Sequence, residues 1–282
     1  MDIRIKTILL TSFALIAFAA NSIICRMALG NDTIDPASFA TIRLVSGAVV
    51  LWLIVKATFR GNADKHPGSW WSAAMLFLYA AAFSFAYVSL NAGVGALILF
   101  GAVQATMITA GLIKGERPPM LAWCGLTIAL AGLVYLVLPG LAAPSFSGAV
   151  LMTIAGLAWG GYSLRGLGVT NPMAVTGDNF LRSVPLTAVV SLILLPSLQL
   201  SAVGVLLAAL SGGLTSGIGY VVWYAALRYL SATRAAMLQL LVPIIAAVGG
   251  VLLLSEQVTL RLVLSGILII GGVGLTLKAK QQ

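Results

Sequence analysis

Few side chains in this sequence can hold a charge or a proton where chemistry could be done. Of its seven Asp and Glu residues, Asp2, Asp32, Asp35, Asp64, Glu116 and Glu256 fall at the margins of long apolar runs, and only Asp178 falls inside one. Arg182 follows four residues later, one helical turn away on the same face. The two form either an ion pair that ties their helix to its neighbours or a gate that responds to protons. Arg43 is the other cation inside an apolar run. It either reaches back to an interface along its aliphatic stem or faces an internal path and attracts a carboxylate. Were an amino acid to pass, Arg43 and Arg182 would be the natural partners for its carboxylate. Asn21, Gln104 and Gln239 are amides in apolar surroundings, and each needs a hydrogen-bond partner, supplied by a neighbouring helix or by whatever moves along a path.

Aromatic residues gather with helical spacing. Tyr79, Phe83 and Tyr87 recur every fourth residue and share a helix face. Tyr220 and Tyr224 do the same, with Trp223 beside them, and Trp159 and Tyr162 flank Gly160-Gly161. One reading is a cavity wall, since aromatic and apolar walls suit a broad, weakly discriminating site. The other is packing and interfacial anchoring, which suffices for Trp52, Trp70, Trp71 and Trp123.

Several kinds of chemistry are excluded. There is no Gly-x-x-x-x-Gly-Lys-Ser/Thr loop, so the chain does not hydrolyse ATP itself. The single histidine, His66, lies in a polar loop, and no acids pair within the apolar runs, so neither a His-based metal site nor a catalytic dyad is expected. Cys25 and Cys124 lie in or beside different runs and read as small apolar residues. No cofactor is implied.

The elements that must position these residues follow from composition. The chain of 282 residues is 60% apolar and 8% charged, with mean hydropathy +1.07, whereas a soluble domain carries roughly 25% charged residues. So little charge cannot cover a soluble surface, and the apolar face must meet lipid. With about 20 apolar residues needed per crossing, ten spans fit, at 7–29, 37–57, 69–90, 93–113, 119–138, 147–167, 173–196, 203–228, 232–254 and 259–277. Asp35-Pro36, Pro118-Pro119 and Asn171-Pro172 open helices, and Pro139-Gly140 closes one. Pro243 permits a bend in the ninth. The run after Arg4 and Lys6 is too long for a signal peptide and reads as the first span. Gly111/Gly115, Gly156/Gly160 and Gly213/Gly217 have close-packing spacing but specify no dimer, which leaves the oligomeric state open.

The net charge of +9 points away from nucleic acid, because the cations are dispersed singly between apolar runs. With the N-terminus inside, twelve of them lie at cytoplasmic ends and only Arg26 and Arg261 at outer ends. That bias places both termini in the cytoplasm. The sequence also repeats. Leu90-Asn91-Ala92 matches Leu230-Ser231-Ala232, Glu116 matches Glu256 and Gly132 matches Gly272, each 140 residues apart. Arg26 with Arg165 and Pro36 with Pro172 align at shorter separations. Five spans per unit make the second unit enter from the opposite side, an inverted repeat of residues 1–141 and 142–282.

On these residues the chain resembles the drug/metabolite transporter superfamily, in its EamA-type ten-span members. The matching features are Asp35-Pro36 with Phe39-Ala40 and Arg43, then Tyr87-x-x-Leu90 and Ala92, then the Gly115-Glu116 turn followed by Gly125 and Gly132. The second half offers Trp223-Tyr224-x-Ala226-Leu227, Leu230-Ser231-Ala232, Pro243 and Glu256. The resemblance covers nearly the whole chain. It implies an all-α membrane protein, ten transmembrane helices in two inverted five-helix repeats, in a bacterial cytoplasmic (inner) membrane. The implied activity is secondary transport or facilitated export of small metabolites, first of all amino acids, by alternating access through a central cavity. The partners are then a small-molecule substrate and the lipid bilayer, with no ATPase subunit and no nucleic acid. A channel is the competing class, and a structural membrane protein follows it.

Overall fold

The computed structural model describes residues 2–58, 68–113, 115, 119–138, 143–166, 169, 171–230 and 238–279. Asp64, His66, Glu116, Pro118, the Pro139-Gly140 and Ser231-Ala232 pairs, and the cations at 60, 65, 114, 117, 234 and 280 lie outside them. The described residues form ten helices and no strand. These are α1 (Ile3–Leu29), α2 (Pro36–Thr58), α3 (Trp70–Tyr87), α4 (Ala92–Ile113) and α5 (Met120–Val137), then α6 (Phe146–Arg165), α7 (Pro172–Ile193), α8 (Ala202–Leu227), α9 (Leu241–Leu254) and α10 (Leu260–Ala279). The helices lie within a few residues of the expected ranges except the ninth, whose expected start lies outside the described residues.

Local chemistry sets the starts. The side chains of Ser69, Ser145, Asn171 and Ser201 each accept a backbone N–H from the first turn of α3, α6, α7 and α8, satisfying donors that the helix itself leaves free. Pro172 follows its cap at the first helical position, where a missing N–H costs nothing. Pro243 instead removes the donor that would bond the Gln239 carbonyl, and the helical backbone is interrupted at Leu240.

Helices α1 to α5 and α8 are each long and apolar enough to cross a membrane, and α9 and the apolar part of α10 are shorter helices of the same character. The exterior carries exposed apolar side chains such as Leu121, Val134, Leu192, Leu252 and Ile267. This is an all-helical, multi-pass membrane protein.

Contacts between helix ends define two faces. At one, Arg26 near the end of α1 donates to the Tyr87 and Val88 carbonyls at the end of α3, Gly148 at the start of α6 meets Ser89 and Leu90, and Arg261 at the start of α10 donates to the Leu138 carbonyl after α5. At the other, Asp178 accepts from the Gly68 N–H, Arg165 at the end of α6 donates to Ser69 and Ser72, and Lys6 lies over the Tyr229 ring. We refer to these as the first and second ends.

Helices α5 and α10 make the most extensive pair and touch the rest mainly through α4. Gly125 and Gly272 let their backbones meet, since a Cβ on either would strike the other's carbonyl. The remaining helices enclose the core, with α2 against α7 and α8, α3 against α6, and α1 against α8 and α9. The α2–α8 contact is tightest at Gly212, in a π-helical stretch of α8 (Ser211–Ile218), where a Cβ would collide with the Arg43 carbonyl and the Ser46 hydroxyl. The Ser46 hydroxyl could turn away, but the Arg43 carbonyl is helical backbone, so a rotamer change alone cannot relieve the collision. Gly212→Ala should therefore lower stability by about 1–3 kcal/mol, read as a fall in thermal midpoint in detergent. Gly266→Ala, whose Cβ meets nothing within 4 Å, should leave the midpoint unchanged. Equal midpoints for the two variants would refute the close approach.

Candidate functional site

Six helical segments converge on a small internal chamber. Helix α1 contributes Phe18, Asn21 and Ser22, and α3 contributes Tyr79 and Phe83. Across from them stand Phe100 of α4, Trp159 of α6, Ser216 and Tyr220 of α8, and Gln239 just before α9. The free volume is about 30 Å³, room for about one water molecule. Anything larger enters only if the helices part.

The aromatic residues form a continuous wall. Ring centroids lie 5.1 Å apart for Tyr220 and Trp159, 4.9 Å for Trp159 and Tyr79, 5.3 Å for Tyr79 and Phe83, and 4.7 Å for Phe83 and Tyr87. Arg43 closes this wall from α2. It is 1% exposed, so it does not reach back to an interface. Its guanidinium donates from Nη2 to the Tyr79 hydroxyl at 2.9 Å and from Nε to Ser216 Oγ at 3.4 Å. It also lies 5.0 and 4.9 Å from the Tyr79 and Phe83 ring centroids, within cation–π range. Nη1 has no hydrogen-bond partner. The Asn21 carbonyl accepts from the Ser211 and Thr215 hydroxyls, which leaves its amide N–H groups as the end still to offer.

Trp159 stacks on Tyr162 at 5.5 Å, and beyond Tyr162 lies a second space of about 20 Å³ bordered by Thr176, Asn179, Tyr224 and Arg165. It lies on the second-end side of the chamber, beside Ser72 and Arg165. In the other direction Tyr87 is fully buried, with its hydroxyl donating to the Ala92 carbonyl. Above it the first end is closed by Arg26 and Glu256, 3.5 Å apart. Both Glu256 carboxylate oxygens also accept the Ala92 N–H at the start of α4, where the helix dipole favours negative charge. Burial pushes the Glu256 carboxyl above its ordinary value, and the Ala92 N–H and Arg26 pull it partly back.

The sequence-predicted residues therefore separate into groups. Asn21, Tyr79, Phe83, Trp159, Tyr220 and Gln239 line the chamber, and Arg43 stands behind its wall on Tyr79, Phe83 and Ser216. Tyr87 extends the wall toward the first end, and Tyr162 and Tyr224 line the second space. Four residues go elsewhere. Gln104 faces a separate gap between α4, α5 and α10. Trp223 packs behind Phe18 at 5.8 Å. Asp178 and Arg182 do pair, at 2.9 Å, but in the second and third turns of α7 at the second end, each more than a quarter exposed, with Arg182 over Trp70. Asp178 thus stands away from the chamber, in the part of α7 near its start at Pro172, where the Gly68 N–H donates to its carboxylate. Phe18, Ser22, Ser216, Thr176 and Asn179 belong to the site and carried no periodic signal. Ser216 had one clue, its place in the glycine-rich stretch of α8. No group of three His, Cys, Asp or Glu side chains suited to a metal ion stands together among the described residues.

Comparison with known proteins gives a consistent picture. The profile of the EamA-like transporter family matches the chain twice, over residues 5–138 and 146–278. An uncharacterized protein of Pseudomonas aeruginosa is 48% identical over 96% of this chain and 94% of its own. An uncharacterized transporter of Archaeoglobus fulgidus is 27% identical over 98% of this chain and 99% of its own. A solved crystal structure of a protein superposes with a TM-score of 0.68 at 19% identity, covering 96% of this chain and 97% of that one, a likeness of fold alone.

The closed first end generates a test with a definite sign. The Glu256 carboxyl binds its proton more tightly when enclosed than when open to water, so closure takes up protons and acidification favours the closed end. The response lies between the ordinary glutamate range and the raised value. Spin labels on Asn31→Cys and Ser147→Cys, both exposed at this end, in a background without Cys25 and Cys124, should show the shorter-distance population growing from neutral to mildly acidic pH. Glu256→Gln should flatten the response. A wild-type distribution that ignores pH would overturn the assignment.

Proposed function

The chain belongs to the EamA-like transporter family and is a membrane transporter of small molecules, and we propose that it exports small metabolites, amino acids or related compounds, by alternating access through the aromatic chamber. The observation that carries this reading is the chamber itself. It lies between the two halves of the chain, walled by α1, α3 and α4 from one and α6 and α8 from the other. Its first end is shut by a pair that joins the halves, Arg26 to Glu256. Relative motion of the halves would break that pair and widen the chamber toward one end at a time.

Four features support reading residues 1–141 and 142–282 as an inverted repeat. One family profile matches each half in turn. Helix partners exchange as an inverted two-fold relation requires: α3 packs on α6 as α8 packs on α1, while α2–α7, α4–α9 and α5–α10 each pair with their own counterpart. The aligned residues Gly115 and Ser255 both take positive φ, +86° and 54°, a conformation rare outside glycine. α1 also ends beside the start of α6, at the first end. The distribution of basic residues supports placing the second end in the cytoplasm of a bacterial inner membrane. No carboxylate lines the chamber among the described residues, which favours downhill movement of substrate over proton carriage by a chamber acid.

Purified protein in proteoliposomes should catalyse counterflow of a labelled amino acid or related metabolite, at the same rate with and without an imposed pH gradient, and should show no unitary currents in a planar bilayer. Currents without counterflow would replace the transporter with a channel. For orientation, alkaline phosphatase fused after Asn31 should be active, and fused after Thr58 or at the C-terminus inactive. The opposite pattern would reverse the direction assigned here.

A further inference from the structure

We propose that Arg43 is the anchor for a substrate carboxylate, and that the chamber is built for organic monoanions with an apolar or aromatic body. The proposal rests on reading the chamber as the transport site and narrows its cargo from amino acids to their relatives without an ammonium group.

The argument begins with charge. A guanidinium stays protonated in any protein environment, and taking one out of water costs several kcal/mol unless it is paired. Arg43 is 1% exposed, yet the ion pairs among the described residues are Arg26–Glu256 and Asp178–Arg182, at the two ends. What holds Arg43 is neutral: one phenol, one serine hydroxyl and two aromatic faces. These leave Nη1 with no partner. Tyr79, Phe83 and Ser216, the groups that grip the guanidinium, are themselves chamber-lining residues. Among the described residues, the fixed charge beside the chamber is therefore one uncompensated positive charge with an unused donor.

A carboxylate matches a guanidinium in geometry as well as charge, through two parallel N–H···O bonds. The Asn21 amide, whose carbonyl is already occupied by Ser211 and Thr215, adds donors for the same anion. The rest of the wall suits an apolar body, with Phe18, Phe100, Trp159 and Tyr220 around it. A monoanion brings the site to neutrality. A zwitterion leaves it at one positive charge, with an ammonium that finds only neutral acceptors such as Gln239. An organic cation doubles the charge. Discrimination of this kind comes from repulsion as much as attraction.

Four probes with one aromatic body separate these cases: phenylacetate, phenylacetamide, phenylalanine and phenethylamine, titrated calorimetrically into the full chain in detergent. Phenylacetate should bind about tenfold more tightly than phenylacetamide and phenylalanine, the difference a charge-assisted pair supplies, and phenethylamine should bind weakest. Arg43→Gln should erase the preference and Arg43→Lys should keep part of it. Equal binding of phenylacetate and phenylacetamide, tighter binding of phenylalanine or phenethylamine, no binding of phenylacetate, or an unchanged preference in a folded Arg43→Gln protein would each overturn the proposal. If Arg43→Gln fails to fold, the wild-type ranking decides alone. Counterflow of phenylalanine without phenylacetate would sink this inference and leave the transport reading standing. Selective binding of phenylacetate that is never moved would do the reverse.

Discussion

A positive charge enclosed by an apolar bundle is the constraint around which this protein is arranged. Placing an arginine at a helix centre costs about 2.5–3.5 kcal/mol on insertion, and Arg43 meets that cost without a carboxylate of its own among the described residues. Each neighbouring feature lowers it by a little. Two rings offer their electron-rich faces, and the Tyr79 hydroxyl takes one N–H. The close approach of α8 to α2 at Gly212 brings Ser216 within reach of another. The π-helical stretch is part of the same solution. Its wider winding and its glycines let α8 lie almost backbone to backbone on α2, the one distance at which a serine side chain spans the gap.

The ends of the molecule solve a different electrostatic problem. Glu256 is held by a helix N-terminus and a cation at once, and Arg26 is held by two main-chain carbonyls as well as by Glu256. Four segments meet through two side chains. Loss of the Arg26 cation would leave the Glu256 carboxylate partly buried with the Ala92 N–H alone. At the second end the corresponding arginine, Arg165, donates to the hydroxyls of Ser69 and Ser72 among the described residues. Neutral acceptors bind a guanidinium more weakly than a carboxylate does.

Much of this was legible in the sequence, for identifiable reasons. Apolar runs of span length, punctuated by capping serines, asparagine and proline, fix helices in any membrane protein, so the order of helices could be read directly. Fourfold aromatic spacing placed Tyr79, Phe83 and Tyr87 on one face because a helix has no freedom to do otherwise. What could not be read was depth and partnership. Asp178 stands inside an apolar run in sequence yet at the second end in space, away from the chamber, because only the fold brings Gly68 to its carboxylate. Gln104 and Gln239 look alike on the page, but one faces α5 and α10 and the other the chamber. Arg43 had two readings until its neighbours on α3 and α8 were known. Those neighbours are more than 30 residues away in the chain, and no local pattern links them.

The chamber's small size has a mechanical consequence. With space of about 30 Å³, admitting even a small organic molecule must displace packed side chains and the helices that bear them. The displacement falls where the packing is least regular. Helix α8 departs from α-helical bonding along Ser211–Ile218, and the helix leading into α9 is interrupted at Leu240, where Pro243 leaves the Gln239 carbonyl without its usual donor. Both irregularities lie beside the chamber and both belong to the second half. In the first half α3 and α4 are regular α-helices throughout. The irregular geometry around the chamber thus falls in the second half. The opening proposed for this protein would draw on that irregular wall, which carries Ser216, Tyr220 and Gln239.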